Sequence, residues 1–348
     1  MSTTNRPPRP AALTLAPLAA VLAAAFALLL GSCWRSEGGR AEAALPTPGA
    51  IRVVVSIPPL EGLIAPMLPE GSEIRTLVPP GVSPHGYELT PDDAAALARA
   101  DLVVYVGLGL EPGVVKALAR RGKTATAQLC MAEALGIGGE PVHDHNHDHA
   151  HDDHEDDADH EGHEGHNHGP IDEHLWLDPV LVASFVAEAE EAISGLLRAR
   201  SAPADALVAV DQGAASLRAR VAEVDAAYRE RLSPHAGAKI VTQHAAWGRL
   251  ADRYGLVVAR VVMPVEAHDP SPGDVAAAAE AMKREGVAAV FSEPQLSRTT
   301  AERLAGLAGV PFGELDPIGD TDWVRLMMRN LDALESKLAE TAGPRGEG

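Results

Sequence analysis

The sequence predicts an α/β protein built of two βα lobes with parallel sheets, joined by one long rigid linker helix, with an interlobe cleft. Two sets of short β-branched runs alternate with helical patterns, one set on each side of a polar central tract. A sustained apolar stripe of helical period lies between the sets, and 348 residues suffice for two sizeable cores.

In the first set, Ile51 to Ser56 reads as a strand, and Pro58 sits where a helix can open. Ile74 to Val78 reads as a second strand. Thr90-Pro91-Asp92-Asp93 then has the form of a helix start, with a capping hydroxyl, Pro at the first helical position and two acids against the dipole. Leu102 to Val106 is a continuous apolar run of the kind buried on both faces of a parallel sheet.

The stripe comes next. Leu207, Val210, Ala214, Leu217, Val221, Val224 and Tyr228 recur at steps of three and four, with Pro203 to open the helix and Pro234 to end it. About 30 residues at 1.5 Å rise give a rod of about 45 Å. In the second set, Lys239 to Gln243, Val257 to Val262, Ala288 to Ser292 and Val310 to Gly313 are strand-like. Helical stretches separate them, one opened by Ser271-Pro272, and a long helix follows Asp320.

The N-terminus carries a different pattern. Arg6 and Arg9 precede an Ala/Leu-rich run from Ala11 to Leu30, closed by Gly31-Ser32-Cys33, which resembles a bacterial lipoprotein signal with its lipobox. Cleavage before Cys33 and acylation of its thiol predict lipid anchoring and an extracytoplasmic body. Only Cys130 then remains, a small buried hydrophobe with no intrachain disulfide partner. The expected organisation is a signal at 1–33, a tether at 34–49, an N-terminal lobe at 50–200 containing a disordered His-rich loop at 141–170, a linker helix at 201–233 and a C-terminal lobe at 234–348.

The formal net charge is −20, which argues against nucleic acid and for a cationic ligand. Half of that excess sits between His143 and His168, where ten carboxylates and ten histidines share twenty-six residues without a Lys or Arg. The histidines are His143, His145, His147, His149, His151, His154, His160, His163, His166 and His168. Neutral imidazole ligates borderline divalent ions, and this spacing lets a flexible chain offer several nitrogens to one ion. With almost no apolar residue to offset ordering entropy, the tract reads as a mobile, low-affinity gatherer of metal.

Four residues are better placed for tight binding. His85 lies in a turn-rich loop after the Ile74 to Val78 strand, and His244 directly follows the Lys239 to Gln243 strand. Asp316 comes just after Val310 to Gly313, and His174 follows the His-rich tract. Ligands of open α/β sheets sit beyond the carboxyl ends of strands, so two candidates from each half converge on a cleft. Three imidazoles and a carboxylate suit tetrahedral Zn²⁺. Asp316-Pro317 reads equally as a turn initiator. Glu293, at another strand end, is a candidate to orient a ligand histidine from behind.

These residues resemble the zinc- and manganese-binding solute-binding proteins of bacterial ABC transporters, in particular the high-affinity zinc uptake type. The resemblance runs from about Ile51 to the C-terminus. It is carried by Ser83-Pro84-His85-Gly86-Tyr87-Glu88 with Pro91-Asp92-Asp93, by His174-Leu175-Trp176-Leu177-Asp178-Pro179 and by His244-Ala245-Ala246-Trp247-Gly248. Phe291-Ser292-Glu293-Pro294-Gln295 and Leu315-Asp316-Pro317 complete it. It implies two lobes bridged by a rigid helix, and metal held between them by His85, His174, His244 and, in many members, Asp316. It further implies a membrane permease as partner and a monomeric protein that performs no catalysis. Some zinc members use a Glu beside the first histidine, or water; here that neighbour is Pro84, so Asp316 and water both stay open.

Three functions compete on the sequence. The first is capture of Zn²⁺, with Mn²⁺ as the alternative, for import by an ABC permease. The second is a zinc hydrolase, opposed by the absence of His-Glu-x-x-His and Gly-x-Ser-x-Gly patterns. The third is a zinc buffer in which the His-rich tract itself is the store.

Overall fold

The computed structural model describes residues 47–121, 126–138, 172–262 and 272–342. The expected signal with Cys33, nearly all of the tether and the His-rich loop lie outside them. Among the described residues no helix is long and apolar enough to cross a membrane.

The first half contains β1 (Arg52–Val55), α1 (Pro58–Ile64), β2 (Glu73–Thr76), α2 (Pro91–Arg99), β3 (Leu102–Tyr105), α3 (Pro112–Arg121), β4 (Ala127–Cys130), α4 (Met131–Ala134) and α5 (Pro179–Ala199). The sheet is parallel, in the order β2-β1-β3-β4. After α6 (Ala204–Leu232) the second half adds β5 (Lys239–Thr242), α7 (Gly248–Arg253), β6 (Val257–Val261), α8 (Pro272–Glu285), β7 (Val287–Ser292), α9 (Thr299–Ala308), β8 (Phe312–Glu314) and α10 (Trp323–Ala342). Its sheet repeats the pattern as β6-β5-β7-β8, again parallel.

Local chemistry accounts for several boundaries. Thr90 and Asp93 close a full capping box on α2, each side chain accepting from the other's backbone N–H. The Asp178 carboxylate accepts from Val180 and Leu181 N–H and caps α5. β2 was expected at Ile74 to Val78; its ladder does run on, since Leu77 and Val78 N–H donate to Val55 and Ser56 carbonyls. β8 was expected to begin at Val310, but Val310 N–H is taken by Ala305 O in closing α9, and Pro311 has no donor. β4 escaped the sequence reading because Ala127-Gln128-Leu129-Cys130 is short and has neither alternation nor a β-branched residue. Cys130 is buried, as expected of a small hydrophobe.

The stripe on α6 buries Val210, Ala214, Leu217, Val221, Val224 and Tyr228. They belong to one continuous core that runs from Ile51 and Val104 through Trp247 and Phe291 to Leu338, so both sheets share it. A smaller cluster around Val275, Met282, Val290 and Leu304 completes the second lobe. Tyr228 Oη donates to Met327 O at 2.7 Å, which ties the rod to α10.

Two glycines set the closest approaches. A Cβ on Gly213 of α6 would overlap the Pro66 carbonyl, with Pro66 C at 2.7 Å and Met67 Cα at 2.9 Å. A Cβ on Gly62 of α1 would overlap Thr321 O and lie 2.7 Å from Trp323 N at the start of α10. Ala is intrinsically the better helix former by about 1 kcal/mol. A rigid backbone clash outweighs that gain, since overpacking costs about 1–3 kcal/mol. Gly213→Ala is therefore expected to lower the melting temperature by several degrees. Gly195→Ala, in α5 with open space around it, is expected to raise it; thermal unfolding of the two variants checks the opposite signs.

Candidate metal centre

Three loops at strand or helix ends bring His85, His174 and His244 together. His85 follows β2, and Gly86 beside it has φ +78°, a left-handed turn that favours glycine. His244 leaves β5 through Gln243, and Thr242 Oγ1 donates to His244 O at 2.9 Å. His174 precedes the short turn Leu175–Leu177 that leads into α5, and the Trp176 ring lies 5.2 Å from its own, tilted by 54°. The ring centroids are 5.6 Å apart for His85 and His174, 5.1 Å for His85 and His244, and 4.8 Å for His174 and His244.

One ligand nitrogen from each ring lies within 4.8 Å of the others. Tetrahedral zinc with nitrogens at about 2.0–2.1 Å holds its ligands about 3.4 Å apart, so a small contraction suffices. The buried Nε2 of His85 has no hydrogen-bond partner. A buried ring nitrogen left without a partner beside two further imidazoles is what a cation would satisfy.

Each ring has a carboxylate on its Nδ1 side. His174 Nδ1 is 2.9 Å from Asp172 Oδ1, which also accepts His174 N–H at 2.9 Å. His244 Nδ1 is 3.4 Å from Glu293 Oε1, and His85 Nδ1 is 3.7 Å from Glu173 Oε1. Glu293 is buried and fixed by Trp247 Nε1–H at 3.2 Å, while its own N–H donates to Gln243 Oε1 at 3.2 Å. A carboxylate at Nδ1 selects the tautomer that leaves Nε2 as the electron donor. Glu293, the sequence candidate for a place behind a histidine, lies beside His244, whereas the sequence reading gave no part to Asp172, to Glu173 or to Trp247, which holds Glu293. The signal for the first two was available: two acids directly precede His174.

Asp316 lies outside the three-imidazole group. Its Oδ1 accepts from Gln295 Nε2 at 2.8 Å, Ile318 N at 3.1 Å and Gly319 N at 2.8 Å, and its Oδ2 is 3.7 Å from Arg329 Nη2. The Asn330 side chain pairs with its backbone on both sides. Three donors on Oδ1 leave Oδ2 as the oxygen a cation could recruit. The histidines of the 143–168 tract fall outside the described residues.

The electrostatics separate the histidines. Burial depresses the His85 imidazole below 6.5, and the two neighbouring imidazoles push it the same way. Burial also opposes charge on His244, but Glu293, through its hydrogen bond and its charge, outweighs that and raises His244 above 6.5. Burial works against the Asp172 carboxylate as well, yet the His174 hydrogen bond holds it below its usual value.

Two parallel-sheet lobes on one stiff helix, with ligand-bearing loops meeting between them, define the architecture of a solute-binding protein. The chain belongs to the ZnuA family, described as zinc-uptake complex component A, periplasmic, whose model matches residues 53–337. Zinc-binding protein AdcA of Streptococcus pyogenes is 27% identical over 303 residues, covering 82% of this chain and 56% of that protein. Zinc-binding lipoprotein AdcA of Streptococcus pneumoniae is 28% identical over 334 residues, covering 93% and 61%. The chain thus spans somewhat over half the length of these relatives. Among solved structures, ZnuA superimposes with a TM-score of 0.65 at 23% identity, over 83% of this chain and 100% of that one. The periplasmic zinc-binding protein TroA of Treponema pallidum gives 0.65 at 20%, over 83% and 99%. At these identities the structural likeness is one of fold.

An NMR titration of the metal-free protein is expected to show His244 losing its proton above pH 6.5 and His85 below it. Glu293→Gln is expected to remove the upward shift of His244, and a reversed order of the two rings would contradict the arrangement of charges described above.

Proposed function

We propose that this chain is an extracytoplasmic zinc-binding protein that captures Zn²⁺ in the interlobe cleft and delivers it to the permease of an ABC importer, without performing catalysis. The observation that carries this reading is the convergence of three imidazoles, each with its Nδ1 facing a carboxylate and one with a buried, unpartnered Nε2. Nitrogen-rich ligation favours Zn²⁺ over Mn²⁺. An ion held by three imidazoles takes its fourth ligand from water or from Asp316 Oδ2, and Asp316→Asn separates these: unchanged affinity assigns water, a large loss assigns the carboxylate. An anchor on Cys33 would keep the cleft near the membrane, and the tract from His143 to His168 serves as an auxiliary gatherer rather than as the delivery site.

The full chain is expected to bind one equivalent of zinc tightly in competition titrations, and deletion of residues 143–168 is expected to preserve it. Loss of the tight equivalent with the tract would favour the buffer reading instead. His174→Ala and His244→Ala are expected to weaken binding by orders of magnitude, whereas His235→Ala, in the turn after α6, changes little.

Protons compete for the same nitrogens, so affinity follows the neutral fraction of the rings. His244 binds its proton above 6.5, hence affinity is expected to start falling before the pH drops to about 6.5, and to fall further below it as His85, whose imidazole is depressed, takes up its own proton. A flat zinc affinity between pH about 7.5 and 5.5 would sink this account.

A further inference from the structure

His174 belongs to a segment that departs from the first lobe's helix α5 yet is fastened to the second lobe. Trp176 Nε1 donates to Pro317 O at 2.6 Å, and Trp323 Nε1 donates to Trp176 O at 2.7 Å. Arg253 of α7 pairs with Asp178. A further fastening runs through Arg249, the second residue of α7 and five after His244. Its Nε donates to Asp172 O at 3.0 Å, its backbone N–H donates to Asp172 Oδ2 at 3.4 Å, and Nε lies 4.0 Å from that same oxygen. The other oxygen of the same carboxylate, Oδ1, accepts both the N–H and the Nδ1 of His174.

We infer that Arg249 is a positioning residue for the cargo: from the second lobe it holds Asp172, and through Asp172 it sets the His174 imidazole, so that a ligand carried by one lobe is oriented only while the other is docked. This rests on the zinc reading of the site. The division of labour within Asp172 carries it. One oxygen faces the ligand ring, while the other oxygen and the main-chain carbonyl face Arg249, so a single residue, Asp172, links the ring to the opposite lobe. Oriented carboxylates behind metal-bound histidines are worth about 10–100-fold in affinity. Withdrawal of α7 would remove the guanidinium and the backbone donor together and leave Asp172 free to turn away from Nδ1. Separation of the lobes and loss of grip on the ion become a single event, which suits a protein that must bind tightly and still release. Arg253 provides the control, because it joins the same two regions but ends on the α5 cap rather than on a residue touching a ligand.

The test uses the full chain with zinc and a competing chelator. Arg249→Ala is expected to weaken zinc binding about tenfold, with the loss in the dissociation rate. Arg253→Ala is expected to lower the melting temperature of the metal-free protein while leaving affinity within about twofold. In the Asp172→Asn background, Arg249→Ala should add nothing, since the route to the ring is already cut. NMR of the metal-free Arg249→Ala protein should show His174 losing its single Nδ1–H tautomer. Unchanged affinity and tautomer in Arg249→Ala, or the same tenfold loss in both backgrounds, would overturn the assignment. Should His174→Ala bind zinc as the unmodified chain does, the cleft reading itself falls and this proposal with it; that result is distinct from an Arg249 failure in a protein whose His174 matters.

Discussion

Each imidazole of the cleft meets a carboxylate at Nδ1, and much of the surrounding architecture serves to keep those carboxylates where they are. An imidazole is a metal ligand only when neutral and only through the nitrogen that carries no proton, so the group behind the ring decides whether the front is usable. A carboxylate in a partly buried cleft is costly unless it is held by several donors. Glu293 meets that condition with the Trp247 indole and a backbone tied to Gln243, and Asp172 meets it with Arg249 and the His174 backbone. Glu173, at 3.7 Å from His85, is the loosest of the three, and burial together with the two neighbouring imidazoles holds His85 below its ordinary value.

Holding three loops to such tolerances demands a stiff frame. The rod α6 contributes a buried stripe to a core shared by both sheets, and Gly213 lets it lie directly on the backbone at Pro66. At the other end α10 returns from the second lobe to meet α1 across Gly62, and the Trp176 and Trp323 indoles each donate to a carbonyl of the opposite segment. Close-packed interiors deform little, so a frame of this kind favours small shifts over a wide hinge.

How much of this was legible in the sequence follows from range. The capping box at Thr90, the proline-opened helices and the stripe from Val210 to Tyr228 are local patterns, and the structure repeats them almost residue for residue. The three histidines were legible because each follows a strand end or abuts the His-rich tract, and strand ends are where α/β sheets bind ligands. What stayed hidden is what depends on contacts across the fold. Arg249 reaches Asp172 over 77 residues of chain, and Trp176 reaches Pro317 over 141. Asp316 shows the reverse difficulty: a carboxylate after a strand reads alike whether it faces a cation or caps its own turn, and here its Oδ1 accepts two N–H groups from the residues that follow it.

The two sheets share one strand order, and with it one crevice where the order reverses, between β1 and β3 in the first lobe and between β5 and β7 in the second. The crevices are used differently. In the second lobe the chain leaves β5 as Gln243-His244 and leaves β7 as Glu293, so the reversal point presents a ring with its supporting acid. In the first lobe the corresponding exit from β1 is Ser56, whose Oγ donates to Glu111 at 2.6 Å, while Val106 and Gly107 N–H donate to the same carboxyl group. Glu111 is buried, and burial raises its carboxyl above the usual range. That crevice is sealed by its own hydrogen bonds, and the first lobe instead presents His85 from the edge strand β2. The asymmetry is one of chemistry: one reversal point is filled by a buried carboxyl group and its donors, and the other presents an imidazole backed by an acid.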